Sequence, residues 1–505
     1  MRFRLLSVYS VLAAISLSNL AKPLSPPHWG DMHTKHSWNT VPKNWEFHGH
    51  PPNGTTIDLY VALKPHRESA LIDALHEVSD PNHPRHVSSL LPLLPSCIYL
   101  YSRILPLQCR CGAHLTREQV ADLVAPRPGT LELVNSWLRH HGVPSSSVSL
   151  THAGTTLTLS GASVIQANAL LGTSYQLYRH VETNEIIVRT IGYSLPAALH
   201  ALVQTVVPTT CFDSPGPHTL WQSPRERSGE AEARQGKPAP GETAPTVLPS
   251  REDDDDDESG TRPALLRWLY STYAYKPAPI PPTRQNLLGI VGIKAEYPNP
   301  DDLADFMGKY RTDGADATYS VVLINGGGYD PRLPGDEASL DTQYAAAIGY
   351  PTPIVYFSTG RGPWGTTDYM FSFLSAVIDR RDIPQTISMS FGGRERFLVD
   401  EFAEHLCRGF GILGVLGVSV LSASGDFGVG RGDCVIRGGN VQFQALFPAT
   451  CTCGVFFVFY LLESSTQVSL TRRAARSLGH RRRWNDGPHA RSCGTYIRRR
   501  LLQHL

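Results

Sequence analysis

Residues 287–324 read LLGIVGIKAEYPNPDDLADFMGKYRTDGADATYSVVLI. Leu287–Ile293 is a continuous apolar run, the pattern of a strand buried on both faces. Asp301–Tyr310 then reads as a helix, and Tyr319–Ile324 is apolar again. Downstream the alternation continues: Asp336–Ile348 helical, Ile354–Phe357 apolar, Thr366–Arg380 helical, Thr386–Phe391 a strand, Val399–Leu413 a helix and Val418–Leu421 a strand. Strands alternating with helices predict an α/β fold, a doubly wound parallel sheet with helices on both faces. In such folds sites lie at the carboxyl ends of the strands.

Upstream, residues 40–212 have the texture of a small α+β unit. Ile57–Leu63, Thr156–Ser160 and Ile186–Val188 are strand candidates. Thr116 and Gln119 have capping-box spacing before Val120, Leu123 and Val124. Leu131, Val134 and Leu138 recur at helical spacing, with Gly142 placed to end that helix, and Val164–Leu171 reads as another. Residues 213–262 differ: they are rich in Pro, Gly, Glu and Ala and end in the run Asp253–Asp257. Like charges repel and little apolar surface is present, so a disordered linker open to proteolytic processing is expected.

The chain of 505 residues holds 46 Lys+Arg against 45 Asp+Glu, so overall charge gives no reason to expect a nucleic-acid partner. Arg2 and Arg4 precede an apolar stretch, Leu5–Leu20, too short for a firm membrane span, and Ala21 offers a cleavage point. The expectation is a signal peptide over 1–21, export, and no stable membrane span. Asn53-Gly54-Thr55 is a glycosylation sequon. Nine cysteines are present, and Cys434 with Cys451 would close a short loop as a disulfide. Cys109-Arg110-Cys111 and Cys451-Thr452-Cys453 are too tight for the usual zinc pattern, and no metal ligands are identifiable.

Two stretches carry candidate chemistry. In Gly335-Asp336-Glu337-Ala338-Ser339-Leu340-Asp341, Glu337 and Asp341 stand one turn apart on one helix face. Their spacing alone fits acidic residues complementing a helix N-terminus; in a dry site the two would titrate as a coupled pair. In Ser422-Ala423-Ser424-Gly425-Asp426-Phe427-Gly428, Asp426 follows a buried-type strand and so falls at a carboxyl end. A kinase reading of Asp426-Phe427-Gly428 fails, since neither a glycine-rich phosphate loop nor a His-Arg-Asp loop is present.

With Arg267-Trp268-Leu269-Tyr270, Asn286–Ile290, Ser388-Met389-Ser390-Phe391-Gly392, Phe447-Pro448-Ala449-Thr450-Cys451 and Gly112-Ala113-His114-Leu115-Thr116, these stretches resemble in order the sedolisins, the serine-carboxyl peptidases, and among them fungal-type secreted tripeptidyl-peptidases. The resemblance spans most of 40–451 and implies a subtilisin-like fold preceded by an activation prodomain over 22–212. It implies Glu337 as general base, Asp341 as its orienter, Asp426 as the protonated oxyanion donor, and release of N-terminal tripeptides at acidic pH. It further implies peptide or unfolded-protein substrates, the prodomain as intramolecular inhibitor and chaperone, an extracellular or acidic vacuole-like location, and calcium, whose ligands would lie beyond the matched region.

The sequence departs from that family in two places. Between His86 and Cys111 an apolar stretch reads as an insertion. The peptidase unit, 263–505, is family-like to Cys451; from 452 to 505 an apolar block and an arginine-rich stretch follow, read as a translated intron or frameshift. No Ser-Gly-Thr-Ser nucleophile motif follows Asp426; Ser492-Cys493-Gly494-Thr495 has the wrong order. The expectation is an inactive chain as written, with a non-catalytic peptide-binding relative or a mis-spliced reading frame as the alternatives.

Overall fold

The structure, a computed structural model, describes residues 28–79, 87–88, 110–111, 114–181, 184–212, 216–217, 286–293, 296–362, 368–395, 398–423, 435–437, 440–442 and 446–451. The expected signal peptide, most of the expected insertion and linker, Asp426, Cys434 and the 452–505 tail lie outside the described residues.

The N-terminal unit runs β1 (Met32–Ser37), β2 (Trp45–Gly49), β3 (Thr56–Leu63), α1 (Ala70–Ser79), the two-residue β4 (Val87–Ser88) and β5 (Arg110–Cys111), α2 (Arg117–Val124), α3 (Thr130–His140), β6 (Val148–Thr151), β7 (Thr156–Ser163), α4 (Val164–Leu171), β8 (Gln176–His180), β9 (Ile186–Arg189), β10 (Gly192–Pro196), α5 (Ala197–His200) and β11 (Val203–Val207). Its main sheet is antiparallel, in the order β11-β3-β7-β6. Val134, Trp137 and Leu138 of α3 and Ala167, Leu170 and Leu171 of α4 share one core with Ile57, Leu59, Val61, Leu157 and Leu159 of the sheet. Both helix signals read from the sequence are used. Thr116 and Gln119 form a reciprocal capping box at α2, and Gly142 takes the left-handed conformation just past α3. β4 pairs antiparallel with β5, which brings the two flanks of the expected insertion together.

The second unit runs β12 (Gly216–Pro217), β13 (Leu288–Ile293), α6 (Pro300–Tyr310), β14 (Tyr319–Ile324), α7 (Asp336–Gly349), β15 (Ile354–Thr359), α8 (Tyr369–Asp379), β16 (Thr386–Met389), β17 (Phe391–Arg394), α9 (Asp400–Val415), β18 (Ser419–Ser422), β19 (Val435–Arg437), β20 (Asn440–Gln442) and β21 (Leu446–Phe447). Five strands form one parallel sheet in the order β14-β15-β13-β16-β18. Alternate residues of β15 serve opposite faces. Ile354 and Tyr356 pack with Leu303 and Met307 of α6 and Ala338, Ala346 and Ala347 of α7. Val355 and Phe357 pack with Phe371, Phe373 and Val377 of α8 and with Phe402, Leu406 and Phe410 of α9. This is the α/β parallel sheet covered on both faces that the alternation predicts.

The expected single strand Thr386–Phe391 is in fact two. β16 ends at Met389 in the parallel sheet, and β17 belongs to an antiparallel sheet between β12 and β21. Gly392 permits this, because a Cβ there would stand 2.4 Å from the Phe447 carbonyl oxygen. The expected Cys434–Cys451 disulfide is corrected: Cys451 is bonded to Cys407 of α9, with their Cα atoms 5.5 Å apart. The segment after β21 lies against α9, so the partner comes from a helix distant in sequence.

The N-terminal unit docks on α8 and α9, the side of the sheet opposite α7. Leu71, Val78, Val120, Val124, Val207 and Cys211 join the α8–α9 core. The Leu115 N–H donates to the Val415 carbonyl at 2.8 Å. Arg117 donates to the carbonyls of Ile378 and Arg380 at the end of α8, where exposed carbonyls and the helix dipole favour a cation. Gln204 of β11 donates to Glu404 at 3.1 Å and accepts from Arg408 at 2.6 Å.

Candidate active site

Helix α7 begins at Asp336 after Gly335, which has no side chain to cap it. A Cβ at Gly335 would stand 2.5 Å from the Glu296 side chain, so the glycine lets that carboxylate-bearing segment lie against the start of the helix. The Gly335 N–H also donates to the Tyr297 carbonyl at 3.1 Å, which fixes the entry to α7. Ala338, Thr342, Ala346 and Ala347 form the buried stripe of the helix. Glu337 and Asp341 sit beside that stripe, half-buried and one turn apart. First-turn acidic residues are favoured by the helix dipole, which accounts for Asp336 and Glu337 without further function. Asp341 is in the second turn, beyond that effect, and has a partner from another element: Ser390 Oγ donates to its Oδ1 at 2.8 Å.

Tyr356 of β15 lies on the same side of the sheet. Its hydroxyl donates to the Glu296 carbonyl at 2.7 Å. Burial pushes its ionisation well above the usual tyrosine range, and the charges of Glu296 and Asp341 push it further. Tyr356 therefore stays a neutral donor beside the acidic groups. The site thus draws on α7, the middle of β15, the segment after β13 and the turn between β16 and β17. The strands that lead to it are adjacent: Met389 pairs with Ser422, and the Ala423 N–H donates to the Met389 carbonyl at 3.1 Å. Asp426, three residues after Ala423, is outside the described residues, so its expected role has no geometry here.

Of the other sequence-derived residues, Asn53 is exposed in the turn before β3, where a glycan would meet no packing obstacle. Among the described residues no group of three or more His, Cys, Asp or Glu side chains is arranged to hold a metal ion, so no step is assigned to calcium. No described helix is long and apolar enough to cross a membrane. Ser390 figures in the sequence analysis only as part of the family-like stretch Ser388–Gly392. Glu296 and Tyr356 were missed there as site residues; the one available signal was a carboxylate placed shortly after an apolar strand.

Fold and site together define a two-unit α/β protein: a small α+β unit seated on the helices of a parallel-sheet unit that bears an acidic helix face at its carboxyl edge. Residues 100–212 match the pro-kumamolisin activation domain; the match begins inside the segment expected as an insertion. The chain is 26% identical over 465 residues to the tripeptidyl-peptidase SED2 of Arthroderma otae, covering 87% of this chain and 69% of that protein. It is 26% identical over 434 residues to the probable tripeptidyl-peptidase SED2 of Arthroderma benhamiae, covering 81% and 64%. It thus spans about two thirds of the length of these relatives. Among solved structures, a Pseudomonas sedolisin, a serine-carboxyl proteinase in complex with pseudo-iodotyrostatin, matches 34% of this chain and 47% of its own at 18% identity and a TM-score of 0.27. The chain is thus similar over most of its length to curated tripeptidyl-peptidases, and its residues 100–212 match an activation domain.

Proposed function

We propose that this chain is the precursor of an acid peptidase of the serine-carboxyl type, exported, with a peptide cleft at the carboxyl edge of its sheet. The observation that carries the reading is the Glu337–Asp341 pair on α7 with Asp341 held by Ser390 from the cleft strand. Glu337 is the general base and Asp341 its orienter; Asp426 is the acid that donates to a developing oxyanion. The chemistry suits low pH. A histidine base is charged and ineffective well below its pKa of about 6.5, whereas a carboxylate with a pKa near ~4 still accepts a proton. A neutral carboxylic acid is a good oxyanion donor.

The precursor reading is supported by how the chain leaves the N-terminal unit. Gly216 and Pro217 of β12 pair with Gly392 and Phe391 of β17, one residue from Ser390. An extended segment there occupies the strand edge on which an extended peptide would lie. The two residues 216–217 that follow the N-terminal unit thus lie on β17 beside Ser390. The cleft takes peptides or unfolded chains with a free N-terminus, the class from which an active tripeptidyl-peptidase releases tripeptides. The sequence supplies no nucleophile motif after Asp426, so the chain as written binds peptides in this cleft without turning them over.

Binding of an unblocked, fluorescently labelled tetrapeptide to the full chain at pH 4, followed by anisotropy after cleavage of the linker by an added protease, tests this reading. Saturable binding that appears only after linker cleavage supports it. Binding that is equal before and after cleavage removes the inhibitory role of the linker, and no binding in either state removes the cleft.

A further inference from the structure

Asp341 stands in the second turn of α7, where the field of the helix N-terminus has already fallen away. Its charge and its orientation therefore need another source. Among the groups near it are Glu337 on its own helix and Tyr356 on β15, with Glu296 after β13 acting with it on Tyr356. Repulsion among these carboxylates works against an ionised, well-oriented Asp341. Ser390 supplies the opposing contact, donating from Oγ to Asp341 Oδ1 at 2.8 Å.

The position of that hydroxyl is set on both sides. Ser390 is the one residue between β16 and β17, where the chain passes from the parallel sheet to the antiparallel one. Before it, the Met389 carbonyl accepts from the Ala423 N–H. After it, Phe391 and Gly392 pair with β12, and Gly393 and Arg394 with β21. Paired backbone on each flank presents the hydroxyl to α7 without freedom to drift.

We propose that Ser390 is a positioning residue, whose hydroxyl holds the Asp341 carboxylate so that Asp341 can orient Glu337. This deepens the assignment of the acidic pair given above and rests on it. A serine carries one hydroxyl proton, and here it is directed to the orienting carboxylate. Ser390 is accordingly a support of the pair and not a substitute nucleophile. A hydrogen bond to an ionised carboxylate is stronger than one to a neutral group. The contribution of Ser390 to stability must then follow the charge of Asp341: full where Asp341 is ionised, lost as pH falls and the carboxylate takes up a proton.

The test is thermal unfolding of the full chain between pH 3 and pH 7 for the wild type, Ser390→Ala, Ser390→Thr, Asp341→Asn and the Ser390→Ala/Asp341→Asn double variant. Ser390→Ala is expected to lower Tm by about 3 °C at pH 7 and by less than about 1 °C at pH 3. Ser390→Thr, which keeps a hydroxyl, is expected to restore most of the loss. In the Asp341→Asn background the effect of Ser390→Ala is expected to be independent of pH. A loss that is equal at all pH values, or one that keeps its pH dependence without Asp341, overturns the proposal and leaves a packing role. Because no turnover is read, failure of the peptidase assignment would not change this outcome. A second readout addresses the rival role: stoichiometric modification of Ser390 by a serine-reactive fluorophosphonate would overturn positioning in favour of a nucleophile, and an unmodified Ser390 supports it.

Discussion

Arg361, just past the end of β15, forms an ion pair with Glu185 of the N-terminal unit while buried beside a second arginine, Arg189. Burial, with the nearby Arg361 charge acting in the same direction, lowers the Arg189 guanidinium to about 10. The Tyr369 ring lies 5.3 Å from the Arg361 guanidinium. Two buried cations therefore share a seam in which Glu185 is a compensating carboxylate.

Removing Glu185 should consequently cost more than removing Arg361. Glu185→Gln leaves both cations buried and is expected to destabilise docking by on the order of 2 kcal/mol, whereas Arg361→Met removes one of them and is expected to cost less. Urea unfolding of the full chain measures both. The reverse ranking would mean that Glu185 is not what balances the seam.

The packing of β1 near α9 should also weaken in acid. His36 of β1 is held below the usual histidine range, chiefly by burial, against opposing pulls from Glu401 and Asp400 on α9. Its Nδ1 is buried without a hydrogen-bond partner among the described residues, and its ring lies edge-on to Trp38 at 5.1 Å. Because the folded pKa is depressed, the unfolded chain binds the proton first. Stability then falls as pH drops below about 6.5 and levels off below the folded value. His36→Gln is expected to reduce the difference in urea midpoint between pH 7 and pH 5. An unchanged difference would place the acid sensitivity elsewhere.

The Cys407–Cys451 bond ties the segment after β21 to α9 across a sequence separation of 44. Its loss in a Cys407→Ser/Cys451→Ser variant is expected to cost about 2–4 kcal/mol. Peptide mapping under non-reducing conditions should recover these two cysteines in one linked fragment. Recovery of Cys451 linked to Cys434 would restore the pairing suggested by sequence spacing.

At Gly392 a Cβ would meet the Phe447 carbonyl oxygen at 2.4 Å. The obstacle is backbone and cannot rotate away. Gly392→Ala is expected to destabilise by about 1–3 kcal/mol and to speed proteolysis near residues 446–451. A neutral effect would show that β17 and β21 are not held this closely.

Much of the architecture was legible because its central strands are buried on both faces. Leu287–Ile293 and Ile354–Phe357 announce themselves as apolar runs, and the edge strand Tyr319–Ile324 reads the same way although Ser320 and Leu323 are exposed; the structure places strands at all three. β1, Met32–Ser37, went unread because MHTKHS has no apolar alternation; pairing with β10 makes it a strand. The break at Ser390 was hidden for a related reason. Thr386–Phe391 reads as one strand, and only the sheets on either side show that the chain changes partners there. Spacing brought out Glu337 and Asp341 but could not distinguish a helix start from a site. What distinguishes them is the tertiary contact that brings Ser390, just past β16, to Asp341 of α7. Disulfide pairing failed likewise, since short sequence separation carried no information about which segment lies on α9.

The most direct measurement of the account is release of a fluorophore from an unblocked tripeptidyl substrate at pH 4, using the full chain with its linker cleaved, for the wild type and Glu337→Gln. No release above the protein-free blank is expected from either protein, because no Ser-Gly-Thr-Ser motif follows Asp426 in the sequence to supply a nucleophile to the acidic pair. Clear release by the wild type that is abolished in Glu337→Gln would contradict it, showing that this chain supplies a working nucleophile to that base.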